Sequence, residues 1–443
     1  MRAGIFWAVI ALWGLVAVSC RQDPIFQIIA SETAPLPPLI EGAPTNMVVF
    51  ERTYPDRDEP VPILYVASGQ IHWYAKAQGA DVPQWDLAEY AIEQPGGTII
   101  SALAVAQGAG GDNRLYALCR DGNSVNATLR YMESQYREGE KWKTIHSETA
   151  EIQSIYAAGP QSTWLFAGTG KNDLNSATYA IWYVDSATDT LKILRGDTAL
   201  LSGVAYRDGI HYLSTKGNGI YEIVEDSGAL SATQLEESPV THPANASKIS
   251  SPDKNRTFMG IIQLNDETII AIERNGGALY LVKPGSFEQI PWTTSKNGTT
   301  NVDNGWMKTD KYTTDGLALW EDYLYFGDPA FNRKTLVAGI QGGLYSTTTS
   351  SHTYGYVEFD LNSDGSLNTR ADRREAGNVN PLQSVDDQNR YMAGLGKHPI
   401  NHLFQTPKEI DPEMTFFAST QTAGLWSYRD RPDNGGWQWN AEN

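Results

Sequence analysis

Cysteine is nearly missing from these 443 residues, with Cys20 and Cys119 the only two. Two thiols cannot build a disulfide framework, so the stability of the chain has to come from core burial. Basic residues are outnumbered, 34 Lys and Arg against 52 Asp and Glu, for a formal net charge of -18. That balance argues against a nucleic-acid partner, because phosphate binding relies on clustered Lys and Arg. It also argues against docking of the protein surface onto anionic lipid. Histidine is scarce too. Among the seven, only His398 and His402 stand at a metal-like spacing, and Pro399 between them breaks the helical face that such a pair needs. No Gly-x-Ser-x-Gly elbow, P-loop, His-Glu-x-x-His or Cys-x-x-Cys occurs.

What the chain does have begins at its N-terminus. One positive charge, Arg2, precedes an uncharged apolar run from Ala3 to Val18, which ends at Ser19 and Cys20. The run is shorter than the roughly 20 residues of a membrane-spanning helix and has the form of a secretory signal. Ala17-Val18-Ser19-Cys20 resembles the lipobox of bacterial lipoproteins, in the relaxed form known from spirochaetes, with Ala17 where Leu is usual. The resemblance implies a signal peptide over 1–19, an acyl group such as palmitate on Cys20, and an anchor in the cell envelope. Arg21 after the cysteine implies the outer membrane under the sorting rule of enteric bacteria. The alternative is ordinary signal-peptidase cleavage after Ala17-x-Ser19. Residues 20–46 carry Pro24, Pro35, Pro37, Pro38 and Pro44 and read as a semi-stiff tether. Cys119, on the Leu115 and Ala117 face of an apparent strand, reads as a buried, inert thiol.

From Met47 to the end, short runs of Tyr, Val, Ile, Leu and Trp alternate with Gly, Asp and Asn turns, an all-β pattern. A unit recurs seven times: an apolar strand ending in small residues, a turn, then a strand opening with Ile or Leu before an aromatic. Leu165-Phe166-Ala167-Gly168 leading to Ile181-Trp182-Tyr183, and Phe416-Phe417-Ala418-Ser419 leading to Leu425-Trp426-Ser427-Tyr428, are clear copies. Another pairs Leu336-Val337-Ala338-Gly339 with Leu344-Tyr345 across Gly342-Gly343. Most copies have a further strand before them and several have one after. Four strands per unit, repeated this way, resemble a β-propeller, here expected over 47–443 with seven blades. Each blade alone exposes two apolar faces, and only ring closure covers both. A β-sandwich or a pair of barrels is the alternative.

Candidate sites are few. Asp360, Asn362 and Asp364 match the first half of a calcium loop, but Ala371 stands where a bidentate Glu is needed, and a hairpin turn explains the segment as well. The insert from Asn368 to His402 gathers Arg370, Arg373, Arg374, Arg390 and Lys397 around Tyr391, a partner-binding candidate or a solvated loop paired with its own acids. Trp306 lies in the polar connection 293–315 and is a candidate for stacking on a sugar or a partner. Together these features predict a lipid-anchored envelope protein whose propeller binds another envelope protein or serves as an assembly scaffold. Two alternatives stay open: a propeller enzyme of the lactonase, lyase or glycosidase kind, and a carbohydrate-binding lipoprotein.

Overall fold

Consecutive residues of the central strands point to opposite sides, and in this chain both sides are apolar. In the computed structural model each such strand is sandwiched between two neighbouring sheets. The structure describes residue 40 and residues 42–442, apart from 76–83, 87–98, 121–126, 146–150, 160–161, 174–175, 227, 244, 293–304, 308–311, 323–332, 344–354, 370–394, 396–397 and 432–435. Seven antiparallel sheets follow one another along the chain, over 48–86, 99–144, 152–198, 201–234, 258–289, 312–360 and 400–441. Each is a meander of four strands, except for three described strands in the sixth. The fifth also gains a parallel outer strand, Glu236–Ser238, beside Ser286–Gln289.

These are the blades of a β-propeller, and the core shows it. Seven apolar clusters fill seven interfaces between successive blades. Ile63, Tyr65 and Ala67 pack toward blade two with Leu115, Ala117 and Cys119. Leu64 and Val66, between them in sequence, pack the other way, against Phe417 and Leu425 of blade seven. Likewise Ile269 and Ala271 face blade four, whereas Ile270 and Ile272 face blade six. Burying each such side chain contributes about 1.5–3 kcal/mol, and the period of two distributes that gain to both neighbours. Cys119 is buried, its thiol donating to the Ala117 carbonyl at 3.7 Å. Where two-residue turns join strands, the required residues are present: Asp208 and Gly209 both take positive φ, 53° and 83°, as a type I′ turn demands.

The last interface closes the ring. Leu425 and Gly424 donate backbone hydrogen bonds to Ile40 (3.1 Å) and Gly42 (3.0 Å). The Ser419 hydroxyl donates to the Pro44 carbonyl at 2.6 Å. Trp85 Nε1 donates to Glu442 at 2.8 Å, and the Tyr74 hydroxyl to Asp411 at 3.2 Å. Ile40 is fully buried. Among the described residues, backbone pairing with blade seven reaches back past Met47 to Ile40, within the proline-bearing segment.

Two further expectations change. The second strand of blade six runs over Arg333–Gly343, so Gly342 and Gly343 lie inside it, opposite Thr313 and Tyr312. Its hairpin partner is Gly355–Asp360, with Leu336 opposite Phe359, and the expected Leu344-Tyr345 lie outside the described residues. The insert expected to end at His402 stops before Ile400, since Ile400–Gln405 is the first strand of blade seven. In both places chain pairing extends further than the local turn residues suggest.

Candidate functional site: the axial mouth

From blade one to blade seven, the first strand of each blade packs against the first strand of the one after it, so these strands gather at the axis. From blade two to blade seven each carries one extra residue against its partner strand, a β-bulge: Ser101, Gln153, Ser202, Met259, Gly316 and Asn401. Gly316 has φ 67°, which suits only glycine without strain. The bulge gives the six strands a common register. Immediately before it stand Ile100, Ile152, Leu201, Phe258 and Ile400, each at most 3% exposed and each in an inter-blade core. In blade six that position is Asp315.

Around Asp315 the blades are stitched at one end of the ring. The Lys216 amide donates to Leu200 at 2.8 Å, and Lys216 bridges to Thr257 of blade five. The Arg274 amide donates to Thr257 at 2.9 Å, and its carbonyl accepts the Thr314 amide at 3.3 Å. The Thr314 hydroxyl donates to the Glu273 carbonyl at 3.2 Å. Lys216 and Arg274 thus occupy equivalent positions just after the second strands of blades four and five, with exposed side chains beside Asp315.

The electrostatics tie five blades together. Burial pushes the Asp315 carboxyl up to about 6, against the opposing pull of Lys216 and Arg274. Burial, with a smaller contribution from Lys216, pushes His402 of blade seven down to about 4. Tyr156, ending the first strand of blade three, is raised by burial and then by Asp315. Asp315, His402 and Tyr156 are enclosed by protein yet keep part of their surface in solvent, as groups lining a channel do. Among the described residues, neither Lys216 nor Arg274 has a carboxylate within 4 Å. Other inward arginines do: Arg52 pairs with Glu140, Arg114 with Asp189 at 2.7 Å, and Arg256 with Glu237 at 2.5 Å. Those pairs sit along blade seams and hold strands together.

The residues singled out from sequence fall elsewhere. Asn362 and Asp364 form a turn in which the Ser366 amide (2.9 Å) and hydroxyl (2.5 Å) both donate to Asp364, and the Asn362 amide donates to the Ser366 carbonyl at 2.8 Å. Asp360 ends the strand before that turn. With Leu264, Asn265, Leu319, Trp320 and Glu321, the turn lines a cavity of about 200 Å³ between blades five and six, at the opposite end of the ring from Lys216. Among the described residues no three His, Cys, Asp or Glu side chains lie close enough to share a metal ion. Trp306 belongs to a short strand paired with Pro291–Trp292 at the edge of blade five. Cys20, Arg370, Arg373, Arg374, Arg390 and Tyr391 lie outside the described residues. The structure instead brings together Tyr156, Lys216, Arg274, Asp315 and His402, which sequence reasoning did not single out as a site. An acidic residue in a strand otherwise matching its repeats was the available signal.

No protein-family model matches the chain, and no curated protein matches it either. Similar solved structures include virginiamycin B lyase from Staphylococcus aureus, 10% identical over 88% of this chain and 97% of that one, TM-score 0.41. YCF48 from Cyanidioschyzon merolae is 12% identical over 88% and 96%, TM-score 0.41. A luciferin-regenerating enzyme is 12% identical over 72% and 94%, TM-score 0.35. Similarity at this level concerns the fold alone. The chain itself, by its seven meanders and seven inter-blade cores, is a seven-bladed β-propeller.

Proposed function

We propose that this chain is an envelope lipoprotein, anchored through acylated Cys20, whose propeller is a binding scaffold that takes its partner at the axial mouth. The observation that carries the binding site is the convergence of Lys216, Arg274, Asp315, His402 and Tyr156 from five blades, with two cations exposed on a chain of net charge -18. A rigid ring offers a preformed rim, and loops and strand ends on such scaffolds are where recognition sits. The lipobox-like Ala17-Val18-Ser19-Cys20 supports the anchoring.

Both parts have direct tests. Cys20→Ser removes the acyl acceptor, and fractionation should then move the protein from membranes to the soluble fraction. Unchanged membrane association ends the lipoprotein reading. Crosslinking and affinity purification from solubilised envelope should recover one protein with the wild type and lose it with Lys216→Glu combined with Arg274→Glu.

One observation favours a second reading, a propeller enzyme. A carboxyl with a pKa near 6 in a channel is suited to general-acid chemistry. An activity that survives Asp315→Asn would exclude that role.

A further inference from the structure

We propose that the mouth formed by Lys216, Arg274 and Asp315 binds a carboxylate-bearing monoanion, and that Asp315 sets the charge the mouth accepts. This rests on the binding reading given above and names the chemistry of the same site.

The first support is the contrast among the cations. Arg52, Arg114 and Arg256 are spent on neighbouring carboxylates in the blade seams. Lys216 and Arg274 are exposed, lack an ion pair among the described residues, and project from adjacent blades at equivalent stitch points. On a strongly acidic chain, two such cations at the opening of a channel make a local positive field that draws in an anion.

The second support is the position of Asp315. Five other blades place Ile, Leu or Phe there and gain core packing. A carboxyl gives up that gain and adds a charge instead. The formal sum of Lys216, Arg274 and Asp315 is +1, which one monoanion neutralises. A dianion leaves excess negative charge facing a carboxylate that has little solvent to screen it.

Deeper in the channel, His402, uncharged at neutral pH, and the Tyr156 hydroxyl supply neutral hydrogen-bonding groups. Among the described residues, the groups that interact electrostatically with Asp315 include Lys216, Arg274 and Tyr156, and His402 lies beside Lys216. Below about pH 6 the Asp315 carboxyl takes up a proton and the sum becomes +2. Affinity for an anion that stays ionised therefore rises as pH falls from 7 to 5.

Calorimetric titration of the purified protein with N-acetylglycine, its neutral amide and sulfate, a dianion throughout this pH range, tests the proposal. At pH 7 the wild type should bind N-acetylglycine saturably, bind sulfate about tenfold more weakly, and not bind the amide. Lys216→Gln and Arg274→Gln should each weaken N-acetylglycine binding about tenfold, the loss of roughly one charge-assisted contact. Asp315→Asn should raise sulfate affinity about tenfold and abolish the gain at pH 5. Equal binding of the amide, no binding of N-acetylglycine, sulfate preferred by the wild type, or unchanged binding by both Gln variants overturns the proposal. Partner capture that depends on Lys216 and Arg274, without N-acetylglycine binding, would sink the carboxylate assignment and leave the mouth as a partner site. Carboxylate binding with no partner captured would sink the scaffold reading alone.

Discussion

At Asp315 the cost of a single buried carboxyl can be separated from the packing around it. In the unfolded chain an aspartate titrates near 3.9. In the ring Asp315 does so at about 6, chiefly because burial disfavours its charge. The folded state thus holds the proton more tightly between pH 4 and 6, and stability falls as pH rises through that window. Above it the full cost, about 3 kcal/mol, is present. His402 and His211, each pushed down to about 4 by burial, act with the opposite sign, losing stability as pH falls from about 6.5 toward 4. Asp315→Leu, which restores the residue type of Leu201 and Ile400, should therefore stabilise the protein by about 3 kcal/mol at pH 7.5 and by much less at pH 4. Urea titrations at the two pH values decide it. A gain of the same size at both would mean that packing, not charge, is the cause.

At the scale of the strand, the close approach of neighbouring blades explains where small residues stand. A Cβ on Gly260 would meet the Gly316 Cα at 3.0 Å and the Leu317 amide at 3.2 Å, both backbone atoms of the next blade. Gly260→Ala should push the first strands of blades five and six apart and cost about 1–3 kcal/mol. Its denaturation midpoint should fall clearly, and an unchanged midpoint would show that the contact can relax. Strand alternation made most of these elements legible in sequence: the second and third strands of six blades follow directly from apolar alternation and turn residues. The sixth did not, because Gly342-Gly343 has the look of a turn while its backbone stays paired with Thr313 and Tyr312. The axial site was illegible for a related reason. A bulge shifts register by one, and which side Asp315 faces depends on pairing with Gly339, a long-range fact. His402 was assigned to a loop because the polar insert runs unbroken in sequence up to the strand that holds it.

For the whole ring, the interface between blades seven and one is unlike the other six, since it is closed by the segment around Ile40 and by residues near the end of blade seven. Glu442 is fully buried and accepts both the Trp85 indole and the Ser427 hydroxyl. Glu442→Ala leaves the indole unsatisfied and should cost about 1–3 kcal/mol. Limited proteolysis should then cut first within 40–47 or in blade seven. Cleavage that begins in blades three to five instead would show that the ring does not open at this interface.

The same closure has a mechanical consequence. A pull transmitted along the chain into Ile40 meets two backbone hydrogen bonds, to Leu425 and then to Gly424, which are loaded one after the other instead of together. Fastened at that end, the propeller would yield at its clasp under tension and part between blades seven and one, while Lys216, Arg274 and Asp315, on blades four to six, keep their places.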